Sequence, residues 1–395
     1  MTQALKRRIG LPLLTAYGVG VMVGAGIYVL VGAVAAEAGV WAPLGFLLAG
    51  VIAAPTALSY AEFSTRLPEA AGEAAFVGQG FNSNALAIFV GLAIVAAGTI
   101  SAAAVLRGGV GYLSNVFELQ HALAVTLVGA GLVSVAVFGV LESLALAAIF
   151  TAIELIGLAM VIWAGFTAPV SADWIAPAPL VLPGLAAAAV LAFFAFIGFE
   201  DIVNMAEEVR DPERVLPRAI LISLLITTVI YALVSWATLR AVPVADLAAS
   251  DSPLALVWTA GKATDAAILS LIAVFAALNG VLAQVVMASR VLYGLGKRTR
   301  SLAVFHNAHP RLGTPVLATL GVGVCVIGAA LALPLTTLAE LTSTILLSVF
   351  VLVNGALILT KRRAPAARFS VPMVVPISGL ILSLAALILN LGGSW

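Results

Sequence analysis

The chain has 395 residues, of which 63% are hydrophobic and 9% are charged, and its mean hydropathy is +1.17. Soluble domains carry about 25% charged residues, so this composition excludes a soluble globular protein and predicts an all-α membrane protein. The formal net charge of +1 gives no indication of nucleic acid binding. Apolar stretches of about 20 residues, each long enough to cross a bilayer, recur along the whole sequence.

Hydropathy, together with the positions of Pro, Gly and charged residues, predicts about eleven transmembrane helices in a single membrane domain, residues 1–395. The predicted spans are 12–36, 42–65, 84–106, 121–139, 142–167, 184–208, 217–240, 266–293, 314–333, 337–360 and 371–391. The division between the fourth and the fifth span is the least marked of these boundaries.

The Lys and Arg residues predict the orientation of the chain. Sixteen of the nineteen fall on one side when the spans are threaded alternately through the membrane. These sixteen are Lys6, Arg7, Arg8, Arg66, Arg210, Arg214, Arg218, Arg290, Lys297, Arg298, Arg300, Arg311, Lys361, Arg362, Arg363 and Arg368, which leaves Arg107, Arg240 and Lys262 on the other side. Because cationic loops stay in the cytoplasm, we predict a multi-pass protein of the cell membrane with a cytoplasmic N-terminus and an external C-terminus.

The first span contains five glycines in the stretch GVGVMVGAGIYVLVG, residues 18–32. Each glycine inside a helix costs about 1 kcal/mol relative to alanine, so an interruption of the helix near Gly24–Gly26 is expected. Gly20 and Gly24 also form a GxxxG pattern, which commonly allows two membrane helices to pack closely. For this stretch alone the two interpretations are equally well supported.

The sixth span is also interrupted, near Ile197–Gly198, and Glu200 and Asp201 follow at membrane depth. Charged side chains at that depth normally face a cavity or a partner. If the spans are counted in groups of five, each interrupted helix is the first of its group. Because five is an odd number, the two groups have opposite orientations in the membrane. The sequence therefore predicts an inverted repeat of units 12–167 and 184–360, an accessory helix at 371–391, and a binding site between the interrupted helices.

Three stretches resemble the amino acid–polyamine–organocation (APC) transporters. They are GVMVGAGIYVLVG in span one, FFAFIGFEDIVNMAEEVRDPERVLPRAI in and after span six, and YAEFSTRLPEAAGEAAFVGQGF at 60–81, together about a sixth of the chain. The resemblance implies an amino acid transporter with the five-plus-five fold of the bacterial leucine transporter. Family members commonly have twelve spans, so the predicted eleven put any family dimer contact in doubt and leave the oligomeric state open.

An interrupted helix leaves backbone amides and carbonyls unpaired where no water is present. The amides that follow the first interruption suit a carboxylate, and the carbonyls before the two interruptions suit an ammonium group. We therefore predict a site for a zwitterionic α-amino acid. Combined with family positions, the predicted substrate-binding residues are Val21, Gly24, Ala25, Gly26, Ile27, Thr99, Phe194, Ala195, Phe196 and Ile197.

The predictions for this site extend to three polar residues and to the class of substrate. Thr99 equally fits a hydrogen bond back to its own helix, and Asn279 and Gln284 in span eight are further candidates for the cavity. Because no carboxylate is predicted at the end of the site that receives the substrate side chain, small or medium neutral L-amino acids are favoured over arginine and lysine.

Glu154 and Glu200 are the candidates for proton coupling. Glu154 lies near the centre of span five, where a buried acid is a natural proton carrier. We predict proton-coupled symport, while a structural carboxylate and a ligand for Na⁺ stay open as alternatives, because some proton-coupled family members have a lysine at this point. Glu200 matches a family glutamate and is expected either in gating or protonation, or at the dipole of the following helix segment.

The sequence contains no constellation typical of an enzyme. The three histidines, His121, His306 and His309, fall at span ends or in loops, and no H-E-x-x-H motif occurs. We predict no catalytic activity, no metal site and no cofactor. The predicted partners are an amino acid, a proton and the lipid bilayer, and no nucleic acid. An amino acid exchanger, or a carrier of cationic amino acids or organic amines, is the alternative.

Overall fold

The computed structural model describes residues 9–67, 72–114, 116–117, 119–138, 144–206, 208–262, 266–364 and 367–392. The side chains of Ala25, Asn204 and residues 144–147 also lie outside the description. Three of the cations used to predict orientation, Lys6, Arg7 and Arg8, and the boundary predicted between spans four and five fall outside the described residues.

Helices account for nearly all the regular structure in the described ranges. The α-helices are α1 Leu11–Ala38, α2 Ala42–Arg66, α3 Gly72–Phe81, α4 Asn84–Leu113, α5 His121–Phe138, α6 Leu144–Thr167, α7 Ala172–Ile175, α8 Leu182–Phe194, α9 Pro212–Ala241, α10 Val244–Ala249, α11 Pro253–Lys262, α12 Ala267–Arg298, α13 Val316–Ala332, α14 Leu335–Arg363 and α15 Val374–Gly392. Short 3₁₀ helices occupy Gly39–Trp41, Glu200–Met205 and Arg300–Phe305. Within the same ranges the extended backbone pairs at one point, the parallel bridge between Ile9 and Val209.

Ten of the predicted spans overlap one long helix each, whereas the sixth, 184–208, covers α8, a series of turns and the 3₁₀ helix Glu200–Met205. Not every helix is long enough to cross a membrane unaided. Eight helical segments of the described residues are long and apolar enough, and one of them joins the second half of α1 to α2. Three apolar helices are shorter, Leu11–Gly24, Leu182–Phe194 and Val316–Ala332. The all-helical membrane architecture is confirmed, and the count of eleven spans stays a prediction.

Both predicted interruptions are present. In α1 the backbone leaves helical geometry at Gly24, with φ −2° and ψ −158°. Helix α8 ends at Phe194, and a series of turns then leads to the 3₁₀ helix that begins at Glu200. Gly198 has φ 125°, a conformation open to glycine because it lacks a Cβ atom, and an added Cβ would lie 2.7 Å from Cγ1 of Val21. The two interruptions therefore lie against each other.

Packing of small residues brings the helices around α1 close together. Helix α1 contacts α6, α8 and α9, while α4 lies along α12 and α2 along α9. Gly157 of α6 approaches α1 so closely that an added Cβ would lie 2.5 Å from the hydroxyl of Tyr28. These contacts fix the interrupted helix inside the bundle, where most of its described residues are buried.

A buried ion pair joins α2 to the helices at the C-terminal end of the chain. Glu62 is fully buried, and its carboxylate accepts hydrogen bonds from Arg66, one turn away, and from Lys361 of α14 at 2.8 and 3.0 Å. The backbone N–H of Val371 donates to the same carboxylate at 2.8 Å. Glu62 and Arg66 thus pair within α2, and Lys361 makes the pair a link between helices.

Candidate functional site

A cavity of about 90 Å³ opens where the two interrupted helices meet. It is bounded by residues of α1, α4, α6, α12 and the turn after α8. The lining residues are Tyr17, Gly20, Val21, Met22, Gly24, Gly26, Ser101, Val105, Thr151, Phe194, Ala195, Ile197, Asn279, Gly280, Ala283 and Gln284. Most of this wall is apolar, so a ligand inside it would find few polar side chains.

The hydroxyl of Tyr231 joins the two interrupted helices beside the cavity. Tyr231 belongs to α9 and is fully buried. Its hydroxyl lies 2.6 Å from the carbonyl oxygen of Met22, before the break in α1, and 2.8 Å from that of Ala195, at the end of α8. The one hydroxyl proton can be donated to either of two carbonyls from different helices, which stabilises the interrupted segments against each other.

The glycines of α1 allow the backbone to approach its neighbours. A Cβ added to Gly26 would lie 3.0 Å from Cα and 3.2 Å from Cβ of Ala195, closer than ordinary contact. At Gly24, by contrast, an added Cβ would meet nothing within 4 Å. Gly26 is thus needed for the contact between α1 and the turn after α8, while Gly24 borders open space.

The structure brings together most of the residues proposed from the sequence. Six of the ten line the cavity: Val21, Gly24, Gly26, Phe194, Ala195 and Ile197. Ile27 and Phe196 are fully buried beside them, and Phe196 packs edge-on against Tyr231. The side chain of Ala25 lies outside the description.

Thr99 does not line the cavity. Its hydroxyl donates to the carbonyl of Val95 at 2.7 Å, which is the alternative considered for it. Ser101, two positions further along α4, lies in the cavity wall instead. Gln284 and Asn279 of α12 also reach the wall, as their polarity within an apolar span suggested.

Glu154 lies behind the cavity wall and does not line it. The residue is 1% exposed, and its Oε1 atom lies 3.5 Å from Nδ2 of Asn279, which lines the cavity. The Oε2 atom has no hydrogen-bond partner among the described residues. Tyr28 donates at 2.9 Å to the backbone carbonyl of Glu154, and Tyr112 donates at 2.7 Å to that of Tyr28.

Glu200 borders a second, smaller cavity of about 10 Å³ together with Glu73 and Asp201. Its carboxylate accepts the backbone N–H of Gly198 at 2.9 Å and so helps to hold the turn after α8. Ser101, Ile197 and Gln284 line both cavities, which makes the acidic cavity a continuation of the larger one. Reasoning from the sequence missed Glu73, because its nearness to Glu200 depends on how α3 packs.

The acidic residues that border the second cavity are not arranged as a metal site. In the part of the chain that the structure describes, no group of three or more His, Cys, Asp or Glu residues is arranged to hold a metal ion.

A polytopic helical bundle whose cavity lies between two interrupted helices is the architecture of a membrane transport protein. The comparison with protein families agrees, since the profile described as amino acid permease matches residues 9–393. The chain belongs to the amino acid permease family, and its relatives are APC-type transporters and not enzymes.

Individual relatives are similar at moderate identity. The branched-chain amino acid permease BcaP of Bacillus subtilis (strain 168) is 29% identical over 99% of this chain and 89% of its own length. The vacuolar cationic amino acid transporter 4 of Arabidopsis thaliana is 32% identical over 84% of this chain, which spans 59% of that relative. The methylthioribose transporter of Bacillus subtilis is 29% identical over 95% of this chain and 87% of its length.

Proposed function

We propose that the protein carries amino acids across the cytoplasmic membrane by alternating access and couples their uptake to protons. The observation that carries this proposal is the cavity between two interrupted helices, lined by Gly24 and Gly26 on one side and by Ala195 on the other. In this proposal the units 12–167 and 184–360 form an inverted repeat that moves around the cavity, and the N-terminus is cytoplasmic while the C-terminus is external.

The chemistry of the cavity fits a zwitterion. The helical segment after Gly24 directs its first N–H groups, at Gly26 and Ile27, and its positive dipole end toward the break, where a carboxylate is stabilised. The carbonyls of the segments before the breaks are hydrogen-bond acceptors for an ammonium group. A ligand that bears both charges on one carbon therefore satisfies both sets of backbone groups.

The size of the cavity favours small or medium neutral amino acids. The cavity of about 90 Å³ has a mainly apolar lining, which suits neutral side chains in the range from that of alanine to that of leucine better than a long charged one. The relative named a branched-chain amino acid permease agrees with this range. A thermal-shift screen of the twenty amino acids on the purified protein tests it, and stabilisation by none of them would contradict the proposal.

A second candidate is transport of cationic amino acids. It is favoured by the three carboxylates of Glu73, Glu200 and Asp201 in the adjoining cavity, and several relatives carry the name cationic amino acid transporter. Competition separates the two candidates. If arginine is taken up and leucine does not compete with it, the neutral substrate class is wrong and the acidic cavity receives the side chain.

Proton coupling is assigned to Glu154, with Glu200 as a second participant. A permanently ionised carboxylate with an unpaired oxygen is costly at full burial, whereas a carboxyl group that takes up a proton is tolerated. Glu154→Gln mimics the protonated form, so this variant is expected to keep substrate exchange and to lose uptake against a gradient.

Uptake assays in proteoliposomes distinguish proton symport from exchange and from Na⁺-driven transport. An inward proton gradient should drive uptake into vesicles that contain no amino acid. Uptake that stays at background until the vesicles are loaded with substrate indicates an exchanger, and uptake that requires Na⁺ instead of protons makes Glu154 a cation ligand.

A further inference from the structure

Asn279 connects Glu154 with the cavity. Asn279 lines the cavity, and its side chain also donates a hydrogen bond to Glu154, from Nδ2 to Oε1 at 3.5 Å. Glu154 itself does not belong to the lining. A chain of direct contacts from Glu154 to a ligand in the cavity therefore has to include a neighbour, and Asn279 contacts both Glu154 and the cavity.

Two tyrosines and a lysine on the helices packed against α6 have other described partners. Helices α1, α9, α11 and α12 pack against α6. Tyr28 of α1 donates its hydroxyl to the backbone carbonyl of Glu154, and the hydroxyl of Tyr231 in α9 lies against the backbone carbonyls of Met22 and Ala195. The cation of α11, Lys262, lies over the ring of Trp163, far along α6 from Glu154.

An asparagine amide can serve two partners in turn. Its NH₂ group donates and its carbonyl oxygen accepts, whereas an ionised carboxylate only accepts. An ionised Glu154 therefore holds the NH₂ group of Asn279. Once Glu154 is protonated its hydroxyl becomes a donor, and the amide can turn its oxygen toward Glu154 and its NH₂ group toward the cavity. Because Asn279 lines the same cavity as Gly24 and Gly26, that NH₂ group then faces the space where the proposed substrate carboxylate binds.

We propose that Asn279 couples the proton to the substrate: its amide NH₂ group binds Glu154 when that carboxyl is ionised, and binds the substrate carboxylate when Glu154 is protonated. The inference rests on the proposed function, in which Glu154 takes up the proton. It predicts that protonation strengthens substrate binding. By thermodynamic reciprocity, the substrate then strengthens proton binding by the same factor, which is the sign of coupling that symport requires.

The test is the pH dependence of L-leucine binding to the purified full-length protein, measured with radiolabelled leucine. Wild type should bind leucine about tenfold more tightly at acid than at alkaline pH, the factor contributed by one charge-assisted hydrogen bond. Asn279→Leu, which has nearly the same shape without the amide, should bind leucine weakly and equally at both pH values. Asn279→Gln should restore part of the pH dependence, because it returns an amide with a longer reach.

Two matched variants make the outcome specific. Gln284→Leu removes another amide from the same wall, and it should change the affinity but keep the pH dependence. Glu154→Gln should abolish the pH dependence. If Glu154→Gln is insensitive to pH while Asn279→Leu keeps the full wild-type dependence, the role of Asn279 is wrong and the proposed function stands. If Glu154→Gln keeps the dependence, or if wild-type binding is insensitive to pH, proton coupling through Glu154 is wrong, and the role of Asn279 fails with it.

Discussion

Removing the Tyr231 hydroxyl tests whether the two interrupted helices act as one binding site. Tyr231→Phe deletes a single oxygen that lies 2.6 Å from the carbonyl of Met22 and 2.8 Å from that of Ala195. The aromatic packing against Phe46 and Phe196 stays in place. The change is therefore confined to the hydrogen bonding of the Tyr231 hydroxyl with the two interrupted segments.

The magnitude follows from the number of bonds lost. A single hydroxyl proton serves one carbonyl at a time, so the variant loses one hydrogen bond and leaves one buried acceptor unpaired, at a cost of about 1–3 kcal/mol. Expressed in substrate affinity, this corresponds to about 5- to 150-fold. We expect a loss of roughly tenfold, because part of the cost falls equally on the free and the bound protein.

Equilibrium binding of leucine and thermal unfolding of the same samples provide the assay. Tyr112→Phe is the matched control, since its buried hydroxyl joins the carbonyl of Tyr28 to the N–H of Leu254 and does not line the cavity. It should lower the unfolding temperature and leave leucine affinity within about twofold. The reasoning is refuted if Tyr231→Phe binds leucine as tightly as wild type, or if both variants lose affinity equally.

Two further predictions concern the substrate carboxylate and the buried ion pair of Glu62. Amino acid amides and esters should bind at least tenfold more weakly than the free acids in competition assays. The reason is that the N–H groups after Gly24 lose a charged acceptor worth about 1.5–3 kcal/mol. Equal affinities would indicate an organic amine as the ligand. Lys361→Met should destabilise the protein by about 3 kcal/mol in thermal or denaturant unfolding, because it leaves the buried Glu62 with Arg66 as its remaining cation. An unchanged unfolding midpoint would mean that Glu62 takes up a proton when its partner is lost.

The local sequence predicts the interruptions because their cause is local. Glycines at 20, 24 and 26 weaken the helix at the residues where it breaks, and the deviation at Gly24 falls within the predicted range. The second break begins earlier than Gly198 indicates, since α8 ends at Phe194. The cause there is tertiary, because the carbonyl of Ala195 is held by Tyr231 from another helix.

Contacts between distant helices account for what the sequence did not reveal. Thr99 and Ser101 are two positions apart, and at roughly 100° per residue they point to nearly opposite faces of α4. An apolar helix with little amphipathic pattern gives no means of choosing between these faces. The same holds for Tyr231, and for Glu73, which lies in the third stretch that resembles the family but whose nearness to Glu200 depends on how α3 packs.

The most direct test of the central claim, that amino acids are carried through the cavity between the interrupted helices, is uptake into proteoliposomes containing wild type or Gly26→Val. Gly131→Val is the matched control, because an added Cβ at Gly131 meets nothing within 4 Å, whereas at Gly26 it meets the backbone of Ala195 at 3.0 Å. We predict saturable, stereoselective uptake of L-leucine by wild type and Gly131→Val, and background uptake by a folded, inserted Gly26→Val. Near-normal uptake by Gly26→Val, or wild-type uptake that neither saturates nor distinguishes L- from D-leucine, would contradict the account.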